Sequence, residues 1–589
     1  MKKDTSANSP TIKEFMNAVD RQLQSLPVEA LRSVILNWAR GTPPARRNNF
    51  LAMLVPMTPL PLTSTTDESL LEDIEELSEH VESGELCEGF GWDPKIQDER
   101  DFGDESWAED VDDFLARANV ELAKGHFEIA RQAYEGIFDI LAMGEEVEHL
   151  PGPPDPEELL KTDMNEIRAR YLRAAYCSYP APERPEKMLE ALERFEYQIE
   201  DRFNLRAMQG AGEEDLPDFS QFLADWMTLL NHAKTPKKQY LLREATFLSG
   251  GTTALGNLAH QQGKRHPQMY VDWLATLVKD GDMSAVATAA SEALAEMPVD
   301  YEVRAQIADK LAEVGERLRD PEMELRGWHE SFQSDPALST LLSLLDVAGR
   351  LGCRAEELSA AIERVRQLLA VPTAPMDWSL DGGRETAKSS GSQALLAQML
   401  VLAGDLYSVL EICEGEESLG WSSEFNPKGF AVPFFLVVLF QGNSETRPPN
   451  LKEVWEAAIE TAGGNSSANA KQLSCFRDML DAVIQLTAIS EEDALKYINW
   501  CVNEVGSRIA AIVGGQHRGS YGKAARLLGA LGEVLLSRDL KSQATATIAK
   551  YKKKYQHYHS FQRDLRDAFD RSPSLAGLLG QNIKKKRAR

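Results

Sequence analysis

The chain has 589 residues, 43% of them hydrophobic and 26% charged, an ordinary composition at a length no single core can serve, so two to four domains or one repeat array are expected. A formal net charge of −28 sets the chain against polyanionic partners, so nucleic acid is not the expected ligand. Six cysteines without a CxxC or CxC pair exclude a zinc module and a disulfide framework, and point to a reducing cytoplasm.

The first residues, MKKDTSANSPTIKEF, contain no apolar h-region, so no signal peptide is expected. A short N-terminal helical module is assigned to 1–62, closed by the proline-rich LVPMTPLPLTSTTDES at 54–69. An acidic segment follows at 63–113. Between Asp67 and Asp113 stand 20 Asp and Glu against Lys95 and Arg100. Such a run reads either as a solvated face, attracted to the basic end of the same chain, or as a surface for a basic protein. On the second reading Glu72, Asp73, Glu75, Glu76, Asp110, Asp112 and Asp113 are the candidate contacts.

From 114 to 369 the apolar residues recur every three or four positions, which predicts an all-α array of helical hairpins. Phe114, Ala118 and Leu122 line one helix; after Gly125, Phe127, Ala130, Tyr134, Ile137, Phe138 and Leu141 line the next. This stretch resembles one tetratricopeptide repeat unit, whose second helix carries Gly-x-aromatic-x-x-Ala-x-x-x-aromatic, met here by Gly125, Phe127, Ala130 and Tyr134. Degenerate echoes follow at Trp273, Gly281, Asp282, Ala290, Ala293 and Pro298, at Trp328 and Pro336, and at Gly404, Asp405 and Tyr407. The resemblance implies a solenoid or irregular superhelix whose units bury their faces only against neighbours. Between the first helices, LPGPPDPEE at 150–158 is a turn with Asp155 as N-cap. A linker rich in Pro, Gly and Ser is expected at 370–393, with a second loop at 414–429; these are either tolerated insertions or a hinge or protease site.

The remainder, 394–589, is a C-terminal helical module with a basic tail. Its longest apolar run, FAVPFFLVVLF at 430–440, is too short to span a membrane and predicts a buried helix opening at Pro433. GGQHRGSYGKAARLLG at 514–529 looks like a phosphate loop but fails at both ends, with His517 where glycine is required and Ala524 where a hydroxyl is required. It predicts instead a polar turn in which Gly514 and Gly515 end one helix and Ser520 caps the next. His517, Arg518 and Lys523 could there receive a carboxylate or phosphate from a partner. From Lys541 to Arg589, 13 Lys and Arg face Asp564, Asp567 and Asp570. Tyr551, Tyr555, Tyr558 and Phe561 recur there at a spacing that suits base stacking or a helix packing face.

Three stretches, ERDFGDESWAEDVDDFLARA, GHFEIARQAYEGIF and YGKAARLLGALGEVLL, are similar to bacterial helical proteins related to the non-zinc part of SWIM-zinc-finger proteins. The SWIM zinc signature, CxC then CxH, is absent, so its zinc and nucleic-acid roles do not carry over. No motif of a hydrolase, kinase, metalloprotease or dinucleotide enzyme is present, and no cofactor or metal is expected. The sequence therefore reads as an irregular tetratricopeptide-like solenoid with a C-terminal helical module, acting as a non-enzymatic scaffold or adaptor for another protein. The alternative is a two-module effector whose 370–430 region is opened or cut to release the C-terminal part.

Overall fold

Sharp reversals between antiparallel helices set the architecture, seen in a computed structural model that describes residues 69–93, 98–147, 149–194, 205–231, 235–371, 390–422, 425–464 and 468–576. The N-terminal module at 1–62, most of the 370–393 linker and the closing run from 577 lie outside the described residues. The described chain is helical almost throughout, and it divides into two compact units at Lys161/Thr162.

In the first unit, α1 (Ser69–Ser83) buries Leu70, Ile74, Leu77 and Val81 against the hairpin of α2 (Trp107–Ala123) and α3 (Phe127–Val147). The expected hairpin faces are in place: Phe114, Ala118, Leu122, Ala130, Tyr134, Ile137, Phe138 and Leu141 are all buried. Gly136 lets α1 and α3 approach, since a Cβ there would collide with Ile74. One element departs from the all-α expectation. Strands β1 (Cys87–Asp93) and β2 (Asp98–Gly103) pair antiparallel between α1 and α2, with a register irregularity at Cys87/Gly89.

The second unit opens with α4 (Met164–Ser178), α5 (Arg184–Arg194), α6 (Leu205–Gly210) and α7 (Phe219–Leu230). Then come α8 (Pro236–Gln262), α9 (Gln268–Asp280), α10 (Met283–Glu296), α11 (Val303–Leu318), α12 (Pro321–Ser334), α13 (Leu338–Leu351) and α14 (Arg354–Ala370). From α7 to α14 each helix packs on the next in sequence, as stacked hairpins must.

The reversals share one device. Gly281, Gly352 and Gly404 occupy the left-handed region, with φ between 75° and 83°, which glycine adopts without steric cost. At the corresponding turn after α11 the left-handed residue is Arg319, φ 58°. Asp282, Asp320 and Asp405 then accept from the backbone N–H groups of Ala285, Met323 and Ser408, capping the helix that follows. The glycine–aspartate signal visible in the sequence is thus a helix stop joined to a helix start. α11 and α12 come closest, because Gly315 and Gly327 face Glu324 and Ala312 with no room for a methyl group.

The closing helices are α15 (Gln393–Leu402), α16 (Leu406–Gly415), α17 (Lys428–Leu439), α18 (Pro449–Gly464), α19 (Ala470–Leu486), α20 (Glu491–Ile509), α21 (Tyr521–Ser537), α22 (Lys541–Lys554) and α23 (His559–Asp570). One hydrophobic core runs from Phe332 to Leu575, so Ile362 and Val365 before the 370–393 segment share it with Leu396 and Met399 after it.

Two sequence expectations are corrected here. Helix α17 opens at Lys428, not at Pro433, which lies inside it. Pro427 and the Asn426 side chain, which accepts from the Lys428 N–H, already start the helix five residues earlier. Ser520 makes no side-chain cap to α21; a 3-10 turn over Arg518–Ser520 leads into that helix instead, after Gly514 and Gly515 end the preceding helical stretch and Gln516 takes the left-handed conformation. The choice left open for the basic tail is also decided: Tyr551, Tyr555 and Phe561 are buried in the core, and the half-buried Tyr558 packs edge-on against Tyr521 and Tyr555, so the spacing is that of a packing face.

Candidate functional site

The acidic stretch folds into a defined surface of the first unit. Because Leu70, Ile74, Leu77 and Val81 turn inward at helical spacing, Glu72, Glu75, Glu76, Glu79 and Glu82 are left on the outer face of α1, all exposed. Asp73 is half-buried and bound to Arg117 of α2 at 2.6 Å, and Arg117 also lies 3.9 Å from Asp113. This guanidinium ties the start of α1 to α2. Asp110 and Asp113 are exposed, whereas Asp112 accepts from the Lys161 N–H at 3.0 Å. The structure therefore leaves Glu72, Glu75, Glu76 and Asp110 outward, and gives Asp73 and Asp112 structural bonds.

The β-hairpin adds what the sequence reading missed. Phe90 and Trp92, two residues apart on β1 and so on one face, are 56% and 60% exposed. On the other face the Phe102 ring lies across Gly91, with the Arg100 guanidinium 5.5 Å from its centroid. Arg100 also binds Asp93 and Glu105. A two-stranded hairpin is marginal alone, and here it is fastened at its base. The Gly152 N–H donates to the Asp101 carbonyl, and the buried Trp107 indole donates to the Pro151 carbonyl at 2.9 Å. Asp155 caps the short turn that follows, as expected. The only sequence signal for the strand is the Gly-Phe-Gly-Trp run, in which glycines occupy alternate positions.

In the second unit the three remaining candidates separate. Arg518 and Lys523 are exposed beside a cleft at the start of α21. His517 is instead stacked on Trp421, with ring centroids 4.8 Å apart and planes 16° from parallel. The loop that carries Trp421 is held in place by α20: Glu504 accepts from Lys428 at 2.9 Å and from the Leu419 N–H, and Arg508 donates to the Gly420 carbonyl. Among the described residues no group of three or more His, Cys, Asp or Glu could hold a metal ion, and no helix is long and apolar enough to cross a membrane.

No family model matches this chain, and no curated protein matches it. Among solved structures it is similar to a chain of the APC/C hetero-tetramer Cut9–Hcn1, with 10% identity over 78% of this chain and 76% of that one and a TM-score of 0.18. It is also similar to a circular tandem repeat protein with novel repeat topology (13% identity, 88% and 97% covered, TM-score 0.15). A third likeness is to the TPR domain of P58(IPK) (12% identity, 86% and 99% covered, TM-score 0.15). At such scores these likenesses carry no weight; the helical-hairpin fold rests on the packing and turns described above.

Proposed function

We propose that this chain is a non-enzymatic scaffold that binds another protein, and that the hairpin face bearing Phe90 and Trp92, together with the outer carboxylates of α1 and α2 in the same unit, is a contact for a basic partner. The observation that carries the reading is the pair of exposed aromatic rings on a fastened hairpin. Aromatic anchors surrounded by charge are the composition of protein interfaces, where a few such rings supply most of the affinity. The carboxylates would set the sign of the partner and speed the encounter. Six free thiols, two of them buried, suit the reducing compartment that forms part of the same proposal.

The effector reading gains no such support. Residues on both sides of the 370–393 segment share one core, and the described part of the 414–429 loop is bonded to α20, so a cut in either would not by itself free a C-terminal module.

The test compares proteins retained by the tagged full chain, by Phe90→Ala/Trp92→Ala and by Glu72→Gln/Glu75→Gln/Glu76→Gln, using quantitative mass spectrometry at low and high salt. A stoichiometric basic protein lost from both variants, and from the parent at high salt, supports the proposal. Retention that neither variant changes refutes it.

A further inference from the structure

We infer that the cleft between the start of α21 and α23 binds a small, multiply charged phosphoanion. The cleft encloses about 450 Å³ and is lined by five cations: Arg518, Lys523 and Arg526 on one side, Arg563 and Arg571 on the other. Only Asp564 and Asp567 line it with negative charge. The arrangement follows from helical spacing. Arg518, Gly522 and Arg526 stand four apart along one wall, and Arg563, Asp567 and Arg571 stand four apart along the other.

The internal bonds leave charge to spare. Glu453 of α18 lies 3.2 Å from Arg526 and 3.5 Å from Arg571, which holds these two guanidinium groups at the cleft. Arg563 lies 3.4 Å from Asp564. Arg518 and Lys523 have no carboxylate within ion-pair distance among the described residues. A ligand with two or more negative charges would meet this excess. Four of the five cations are arginines, whose planar forks fit phosphate oxygens in pairs. The first turn of α21 adds the partial positive charge of a helix start.

The same features select a small ligand over a nucleic-acid strand. The cations ring one cleft of the size that holds a nucleotide or an oligophosphate rather than forming a stripe. Of the neighbouring rings that could stack on bases, Tyr551, Tyr555 and Phe561 are buried and the half-buried Tyr558 is packed edge-on against Tyr521 and Tyr555, and the net charge of −28 opposes a long polyanion.

Calorimetric titration of the full chain with inorganic triphosphate at low salt tests the inference. Two variants accompany it: Arg518→Ala/Lys523→Ala, which removes the two cations without ion pairs, and Gly519→Glu. A Cβ at Gly519 meets nothing within 4 Å, so the second variant adds a carboxylate to the cleft wall without a collision. Both variants should keep the parent's melting temperature and bind triphosphate at least roughly tenfold more weakly, the effect of losing one or two charge-assisted bonds. Absence of binding by the parent, or undiminished binding by both variants, overturns the inference. So does a single-stranded oligonucleotide that binds through the same residues more tightly than triphosphate.

Discussion

Replacing Lys428 by Met should loosen the loop at 414–422 while leaving the helices intact. The Lys428 ammonium and the Glu504 carboxylate are 2.9 Å apart, with side chains only 4% and 10% exposed. Lys428 also donates to the Glu416 carbonyl at 3.1 Å, and Glu504 also accepts from the Leu419 N–H. Methionine fills the space of the lysine stem but leaves a buried carboxylate without its cation, a loss of about 3–5 kcal/mol. If that energy is released by local opening, amide exchange across 414–422 should rise by roughly two to four orders of magnitude. Hydrogen exchange read by mass spectrometry on the intact protein measures this directly. The pair also supplies its own control. Lys428→Met/Glu504→Leu removes both charges and should return exchange to within about tenfold of the parent, because an apolar pair of similar volume replaces an ion pair at little cost. Parent-like exchange in the single variant would refute the reasoning, as would a double variant as open as the single one.

Two further predictions concern the second unit. Burial pushes the Glu244 carboxyl up to about 7, against the Leu205 and Arg206 backbone N–H groups that pull it down, and its Oε2 has no hydrogen-bond partner among the described residues. A carboxyl whose folded pKa exceeds its unfolded value favours the fold when protonated, so stability should fall as pH rises from about 4.5 to 7, by about 3 kcal/mol at most. Melting temperatures of Glu244→Gln should lack this contribution; an unchanged pH profile would count against it. Gly327→Ala should destabilise by about 1–3 kcal/mol, since the added methyl would meet the Ala312 backbone. Gly415→Ala, where a Cβ meets nothing within 4 Å, should cost nothing in the same melts, and equal effects at the two sites would contradict the packing described.

The hairpins were legible because their signals are local. A left-handed glycine followed by an aspartate cap both ends and begins a helix within two residues, as at Gly281-Asp282 and Gly404-Asp405. Strand β1 was not legible because Gly89 and Gly91 alternate with Phe90 and Trp92, so the two-residue period carries no buried apolar face. At Pro433 a preference for the first helical turn competed with Pro427 and Asn426, and the earlier start prevailed. The basic cleft was half visible: Arg518 and Lys523 stood out in a glycine-rich turn, but Arg563 and Arg571 arrive from a helix some forty residues later through packing alone. His517 left that group for Trp421, a contact across nearly a hundred residues that no local pattern announces.

The contrast between the two kinds of packing in the second unit bears on how the chain reaches its fold. From α7 to α14 most partners are sequence neighbours, so each hairpin closes only a short loop and can form as soon as both helices exist. The closing helices depend on distant partners instead: Asn450 donates to the Ala568 carbonyl 118 residues on, and Gln472 reaches back 133 residues to the Ser339 carbonyl. The Asn450 contact must await the last helices, so during synthesis the hairpin array would be ordered while α17, α18 and α20 still expose the apolar faces that α21 later covers. A nascent chain stalled before Tyr521 should therefore bind a hydrophobic dye, and one released after Leu575 should not.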